Sequence, residues 1–206
     1  MSILFGTPMY GGQCTAEYFE SCLNLKEDLI KAGVDHDWAI ITNESLITRA
    51  RNTISQMFMD SQYDALFFID ADIHFCAEDV AKLWNLNVPV SVAAYRMKTD
   101  DSKLAAWKNN KLVTLTNETE PFEVDYAGTG FMCIQRRVFQ AMKKVVPNYE
   151  EGPGNEDRYA YFQDPFSDGF HCSEDYFFCQ TWRGLDGKVI MDPTIRLGHV
   201  GQKEYR

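Results

Sequence analysis

Ala65-Leu66-Phe67-Phe68-Ile69-Asp70-Ala71-Asp72 is the stretch on which the reading of the fold turns. Five apolar residues without polar alternation read as a strand buried on both faces, as in a parallel sheet covered by helices. The run stops on two acids. Residues two apart in an extended chain project to one side, so Asp70 and Asp72 are expected to point together while Ala71 turns away. In open α/β sheets, ligands bind beyond the carboxyl ends of the strands. Two carboxylates there call for a cation, and a hard divalent ion with oxygen ligands commonly arrives with phosphates. The expectation is a metal ion and a nucleotide diphosphate at this strand end.

Upstream, Ile3-Leu4-Phe5-Gly6 reads as a first buried strand, running into Thr7-Pro8-Met9-Tyr10-Gly11-Gly12. A strand closing on a Pro/Gly loop before a helix is a frequent start to a nucleotide site, and equally a plain turn. Thr15 is placed to cap a helix to about Ala32, with Tyr18, Phe19, Cys22, Leu23, Leu29 and Ile30 on one face. Trp38-Ala39-Ile40-Ile41 is a second strand. Ser45 is placed to cap a helix from Leu46 to about Ser61, striped by Ile47, Ala50, Ile54, Met57 and Phe58. At about 100° per residue, Arg51 falls beside that stripe and Arg49 nearly opposite, so Arg51 can lie against the sheet.

Downstream, a helix is expected around 77–84 and a central strand over Pro89–Ala94. Tyr95-Arg96-Met97-Lys98 follows that strand, with Lys98 a candidate phosphate contact. Thr99–Lys111 reads as a polar loop around Trp107, and Leu112–Leu115 as a strand of a smaller sheet. Tyr126–Ile134 reads as a turn at Gly128 and Gly130 entering a buried strand, where glycine permits either a bulge or close approach of a ligand. A helix follows over about 136–144. The Pro- and Gly-rich run 147–171 suits a lid or an acceptor surface. Ser173 is placed to cap a helix whose first turn holds Glu174 and Asp175, an arrangement that also complements the helix dipole. Val189-Ile190-Met191 is the last clear strand, and His199 lies between Gly198 and Gly201.

The composition fits a single α/β domain of 206 residues, alone or as part of a longer protein: 45% hydrophobic and 14% aromatic. With 30 acids against 20 bases, a net charge of -10 and no basic run, a nucleic-acid partner is not expected. Six cysteines without a C-x-x-C pair read as reduced thiols of a cytoplasmic protein. Neither a signal peptide nor a membrane-spanning apolar run is visible.

Taken in order, these features resemble the GT-A-fold glycosyltransferases, including the domains that build capsid glycans in chlorella-type viruses. The resemblance is carried by Ala50-Arg51-Asn52, by Asp70-Ala71-Asp72 as a D-x-D motif, by Gly128-Thr129-Gly130-Phe131, by Ser173-Glu174-Asp175 as the x-E-D motif of inverting members, and by His199. It implies a Rossmann-like GT-A domain with a mostly parallel central sheet, flanking helices and a small antiparallel sheet. It further implies that Thr7, Pro8 and Tyr10 line a uracil and ribose pocket near Arg51, with Ala71, Gly128, Gly130 and Lys98 also toward the nucleotide sugar. Asp72 and His199 would hold Mn²⁺, or alternatively Mg²⁺, with Asp70 on the ribose or on the ion directly or through water. Asp175 would serve as base and Glu174 would hold the acceptor. A glucose- or rhamnose-type UDP-sugar as donor and a saccharide acceptor would follow, in the host cytoplasm if the protein is viral.

Rival readings fit less well. An aspartyl phosphatase wants its D-x-D on the first strand. A sugar-nucleotide pyrophosphorylase wants a basic Gly-rich loop after that strand, and Thr7–Gly12 contains neither Lys nor Arg. A non-catalytic nucleotide-sugar binding domain is the third alternative.

Overall fold

A computed structural model of the chain describes residues 2–205 apart from 100, 101, 116, 151–156, 168 and 202. In chain order the N-terminal half comprises β1 (Ser2–Met9), α1 (Ala16–Lys31), β2 (Asp35–Thr42), α2 (Ile47–Asp60), β3 (Ala65–Ile69), β4 (Ile73–His74), α3 (Ala77–Asn85) and β5 (Val90–Val92). Then come β6 (Lys103–Lys108), β7 (Lys111–Thr114), β8 (Phe122–Val124), β9 (Tyr126–Ala127), β10 (Phe131–Gln135) and α4 (Arg136–Met142). The rest is β11 (Asn148–Glu150), β12 (Asp157–Tyr159), β13 (Phe166–Ser167), β14 (Phe170–His171), α5 (Glu174–Arg183), β15 (Val189–Met191), β16 (Gly198–Val200) and β17 (Glu204–Tyr205).

A seven-stranded sheet in the order β2-β1-β3-β10-β5-β15-β8 forms the centre. Strands β2, β1, β3, β5 and β15 run one way, whereas β10 and β8 run against their neighbours. The mostly parallel α/β expectation therefore holds. All five residues of β3 are buried: Leu66 and Phe68 enter one core, and Ala65, Phe67 and Ile69 enter the other across the sheet. That division onto two faces is why the run lacks alternation.

The structure corrects several local expectations. Thr15 does cap α1, accepting from the Tyr18 N–H at 3.2 Å. Its buried face, however, is Tyr18, Ser21, Leu25 and Leu29, while Phe19, Leu23 and Ile30 are 57%, 50% and 62% exposed. Ser45 makes no cap for α2. The Glu44 carboxylate takes the Leu46 N–H at 3.0 Å instead, and also pairs with Arg49. The expected loop over Thr99–Lys111 contains β6, which with β7 and β9 makes a small antiparallel sheet.

Of the expected lid over 147–171, residues 151–156 and 168 lie outside the described residues. The remainder includes the pairs β11–β12 and β13–β14, and Tyr161 and Phe162 are core residues. The Asn52 side chain holds Phe162 by two backbone hydrogen bonds of 2.9 Å. The Arg136 guanidinium fastens the end of α2 to α4 by donating to the carbonyls of Phe58, Met59, Ser61 and Tyr63. All six cysteines are free thiols. Among the described residues, no helix is long and apolar enough to cross a membrane.

Candidate active site

The acidic pair sits at the carboxyl end of β3, beside β10 and close to the ends of β1 and β5. The Asp70 N–H donates to the Gly130 carbonyl at 3.0 Å, so β10 grips the chain where β3 stops. The Ile73 N–H then donates to the Asp70 carbonyl at 3.1 Å, closing a turn. Because the strand ends at Ile69, the same-side argument for Asp70 and Asp72 fails: a turn separates them, and they meet different partners. The Arg51 Nη2 donates to the Asp70 carboxylate at 3.0 and 3.3 Å. The Lys98 Nζ donates to Asp72 Oδ2 at 2.6 Å, and His199 Nε2 stands 3.6 Å from that same oxygen.

Both carboxylates nevertheless border one cavity of about 420 Å³, lined also by Pro8, Tyr10, Gln13, Cys14, Thr15, Ile47 and Ala71. Tyr10 is 77% exposed, so its ring is free to receive a flat base. The Ala71 carbonyl is fixed by the Thr15 N–H at 2.9 Å. Thr7 is a correction. It is fully buried, and its hydroxyl shares a 2.6 Å hydrogen bond with the Tyr18 phenol, joining β1 to α1 rather than lining the cavity.

Arg51 is the hub. Its side chain is 4% exposed, lies over the Phe68 ring at 5.3 Å, and reaches Glu174 Oε1 from Nε at 3.3 Å as well as Asp70. Burial works against its charge, but Asp70 and then Glu174 more than offset that and hold its pKa above the ordinary arginine value. Its Nη1 is buried with no hydrogen-bond partner among the described residues.

Ser173 begins α5 as expected, but its hydroxyl donates to Asp175 Oδ1 at 2.5 Å rather than capping the helix. The same oxygen accepts the Tyr176 N–H at 2.8 Å. Burial, and then the neighbouring Glu174 charge, push Asp175 up to about 6, against the pull of Ser173 and Arg51. A carboxylate poised there can gain and lose a proton near neutrality. Asp72 differs: burial raises it, yet His199 and Lys98 outweigh burial and hold it below the usual carboxylate range.

Gly128 and Gly130 owe their identity to Tyr95, a residue that sequence reasoning passed over. A Cβ at Gly128 would collide with the Tyr95 hydroxyl; one at Gly130 would lie 2.7 Å from its ring and 2.8 Å from Asp70 Oδ2. The space is taken by this phenol. The Tyr95 ring also meets His199 edge-on at 4.8 Å, and its hydroxyl is raised by burial and then by the charges of Asp70 and Asp175. Tyr95 thus stands between the Asp72–His199 end and the Asp175 end. The available signal was its place on the same rim as Asp70, directly after a central strand. Gly128→Ala should cost about 1–3 kcal/mol by overpacking, and at most half of that in a Tyr95→Phe background. Urea unfolding of the four proteins checks this, and additive costs would exclude the phenol as the cause.

The donor set suits a divalent ion. His199 Nδ1 lies 2.8 Å from the Arg96 carbonyl, an obligate acceptor, so in the neutral ring Nδ1 carries the proton and Nε2 offers its lone pair toward Asp72. Among the described residues no set of three His, Cys, Asp or Glu converges. The protein provides one carboxylate and one imidazole, and a bound diphosphate would have to complete the shell.

Comparison with known proteins supports this architecture. A protein described as A197 from STIV superposes with a TM-score of 0.64 at 18% identity, over 98% of this chain and 86% of its own. GalNAc-T7, solved with UDP, GalNAc and Mn²⁺, gives 0.53 at 15% identity over 98% of this chain and 44% of its own. S. aureus TarS 1-349 in complex with UDP-GlcNAc gives 0.51 at 12% identity, over 95% and 58%. The chain thus spans less than two thirds of the latter two. No curated protein sequence matches it. The sequence model of glycosyl transferase family 8 matches residues 16–143, from the start of α1 through α4, including Arg51, Asp70, Asp72 and both glycines. With that match over more than half its length and the GT-A architecture of its neighbours, the chain belongs to glycosyl transferase family 8.

Proposed function

We propose that this domain, standing alone or within a longer cytoplasmic protein, transfers a glucose- or rhamnose-type sugar from a UDP-sugar to a saccharide hydroxyl, with inversion and with Mn²⁺ as its ion. The observation that carries the reading is the division of labour on one rim. Asp72, His199 and Lys98 gather at one end, and the titratable Asp175 stands at the other with Tyr95 between them. Pro8 and Tyr10 would receive the uracil, with the Ala71 backbone toward the sugar, while Gly128 and Gly130 make room for Tyr95. Asp72 and His199 would hold the ion, whose charge would steady the departing diphosphate. Arg51 would lie close to the donor and hold Asp70, which would face the ribose. Asp175 would take the acceptor proton, and Glu174 would orient the acceptor. GalNAc-T7 and TarS, both solved with uridine nucleotides, are consistent with the choice of UDP.

UDP release from a panel of UDP-sugars tests this. Release should require Mn²⁺, rise with a saccharide acceptor, and fall at least a hundredfold in Asp72→Ala and His199→Ala. A nucleotide-sugar binding domain releases no UDP, and a pyrophosphorylase instead consumes pyrophosphate. Family 8 enzymes generally retain the donor's configuration, so NMR of the product anomer is decisive for Asp175. Inversion supports it as base; retention removes it from that role.

A further inference from the structure

Lys98 and the incoming ion would use the same atom. The Lys98 ammonium sits 2.6 Å from Asp72 Oδ2, the oxygen that His199 Nε2 faces at 3.6 Å. The backbone beside Lys98 is held: the Met97 N–H donates to Lys103 at 3.0 Å, and the Thr99 N–H to Met97 at 2.7 Å. Its arm reaches solvent, being 39% exposed, and runs past Gly201, where a Cβ would lie 3.1 Å from the Lys98 Cδ. A monovalent ammonium and a divalent ion cannot share one carboxylate oxygen without strong mutual repulsion. A diphosphate beside them changes the balance, since its oxygens accept the displaced ammonium.

Resting on the UDP-sugar reading above, we propose that Lys98 is the built-in counter-ion of Asp72 and is exchanged for the divalent ion as the nucleotide arrives. Lys98 blocks the ion in the empty protein and clamps the diphosphate in the loaded one. Ion and nucleotide therefore load as a linked pair, and each raises the other's affinity by the same factor.

The test is binding, not turnover, on wild type, Lys98→Met and Lys98→Arg. Mn²⁺ affinity is read by electron paramagnetic resonance without nucleotide, and UDP affinity by calorimetry in chelator and in Mn²⁺. Lys98→Met should bind Mn²⁺ alone about tenfold tighter and UDP in chelator about tenfold weaker, while Lys98→Arg follows wild type. Unchanged or weaker Mn²⁺ binding in Lys98→Met, with wild type still binding UDP in Mn²⁺, overturns the exchange and leaves the UDP reading standing. Wild type that binds UDP under neither condition overturns that reading, and the exchange with it.

Discussion

Asp175→Asn is expected to lower turnover by about 10²–10⁴-fold while UDP binding is kept and the protein grows more stable above pH 6. The amide carbonyl can still accept from Ser173 and the Tyr176 N–H, so the local geometry survives. What disappears is the group that can take a proton. Because Asp175 is pushed up to about 6, first by burial and then by Glu174, wild-type turnover should rise as pH climbs through 6 and level off above it. The stability effect runs the other way. Folded Asp175 holds its proton more tightly than the unfolded chain does, so stability is intact below about 4 and is lost as pH rises through 4 to 6. The move from 3.8 to about 6 sets a ceiling of about 3 kcal/mol. Partial exposure screens the charge, so the asparagine variant should gain about 1–2 kcal/mol at pH 8 and nothing at pH 3.5. Urea unfolding at both pH values, beside a pH–rate profile, measures this. Near-normal turnover in the variant, or a wild-type rate flat from pH 5 to 8, removes Asp175 from the chemistry.

That Glu174 and Asp175 open α5 was legible in the sequence, as was much of the fold. The apolar run 65–69 announced a strand covered on both sides, and the acids after it announced the binding rim. What could not be read was where the strand stops. One turn decides whether Asp70 and Asp72 meet the same partners or different ones, and it is closed by the Ile73 N–H on the Asp70 carbonyl just where Gly130, a distant residue, pins the Asp70 N–H. Tyr95 was hidden for a similar reason. The two glycines read equally as a bulge or as room for a ligand, whereas the side chain that needs the room lies more than thirty positions earlier. Strand β6 escaped notice because alanine is a poor strand marker: in Lys103–Lys108 its inward residues are Leu104 and Ala106, and its half-buried ones Ala105 and Trp107. On α1 the amphipathic pattern admitted several rotations, and the sheet chose the one that leaves Phe19, Leu23 and Ile30 in solvent. Helical phase did place Arg51 toward the sheet, since that depends only on neighbours along the same helix. Its partners did not follow, because Glu174 is 123 residues away.

Arg51→Met should cost about 2–4 kcal/mol and silence the enzyme, through charge rather than lost volume. Methionine fills much of the same channel over Phe68, but Asp70 and Glu174 then face each other without a cation, with Asp175 beside them. Removing one member of a buried ionic cluster commonly costs about 3–5 kcal/mol. The lower figure applies here because Asp70 and Glu174 keep 26% and 15% side-chain exposure, and water screens part of the repulsion. Three outcomes separate this from a packing defect. Arg51→Lys keeps the charge but lacks the fork that spans both acids, so it should recover about half the stability. In an Asp70→Asn background, Arg51→Met should cost clearly less, a coupling that a cavity would not show. Residual Arg51→Met turnover should need higher pH than wild type, because Arg51 is one of the groups holding Asp175 down. Equal costs in both backgrounds, with an unshifted pH profile, would mean that Arg51 serves packing alone and that the rim is not organised by its charge.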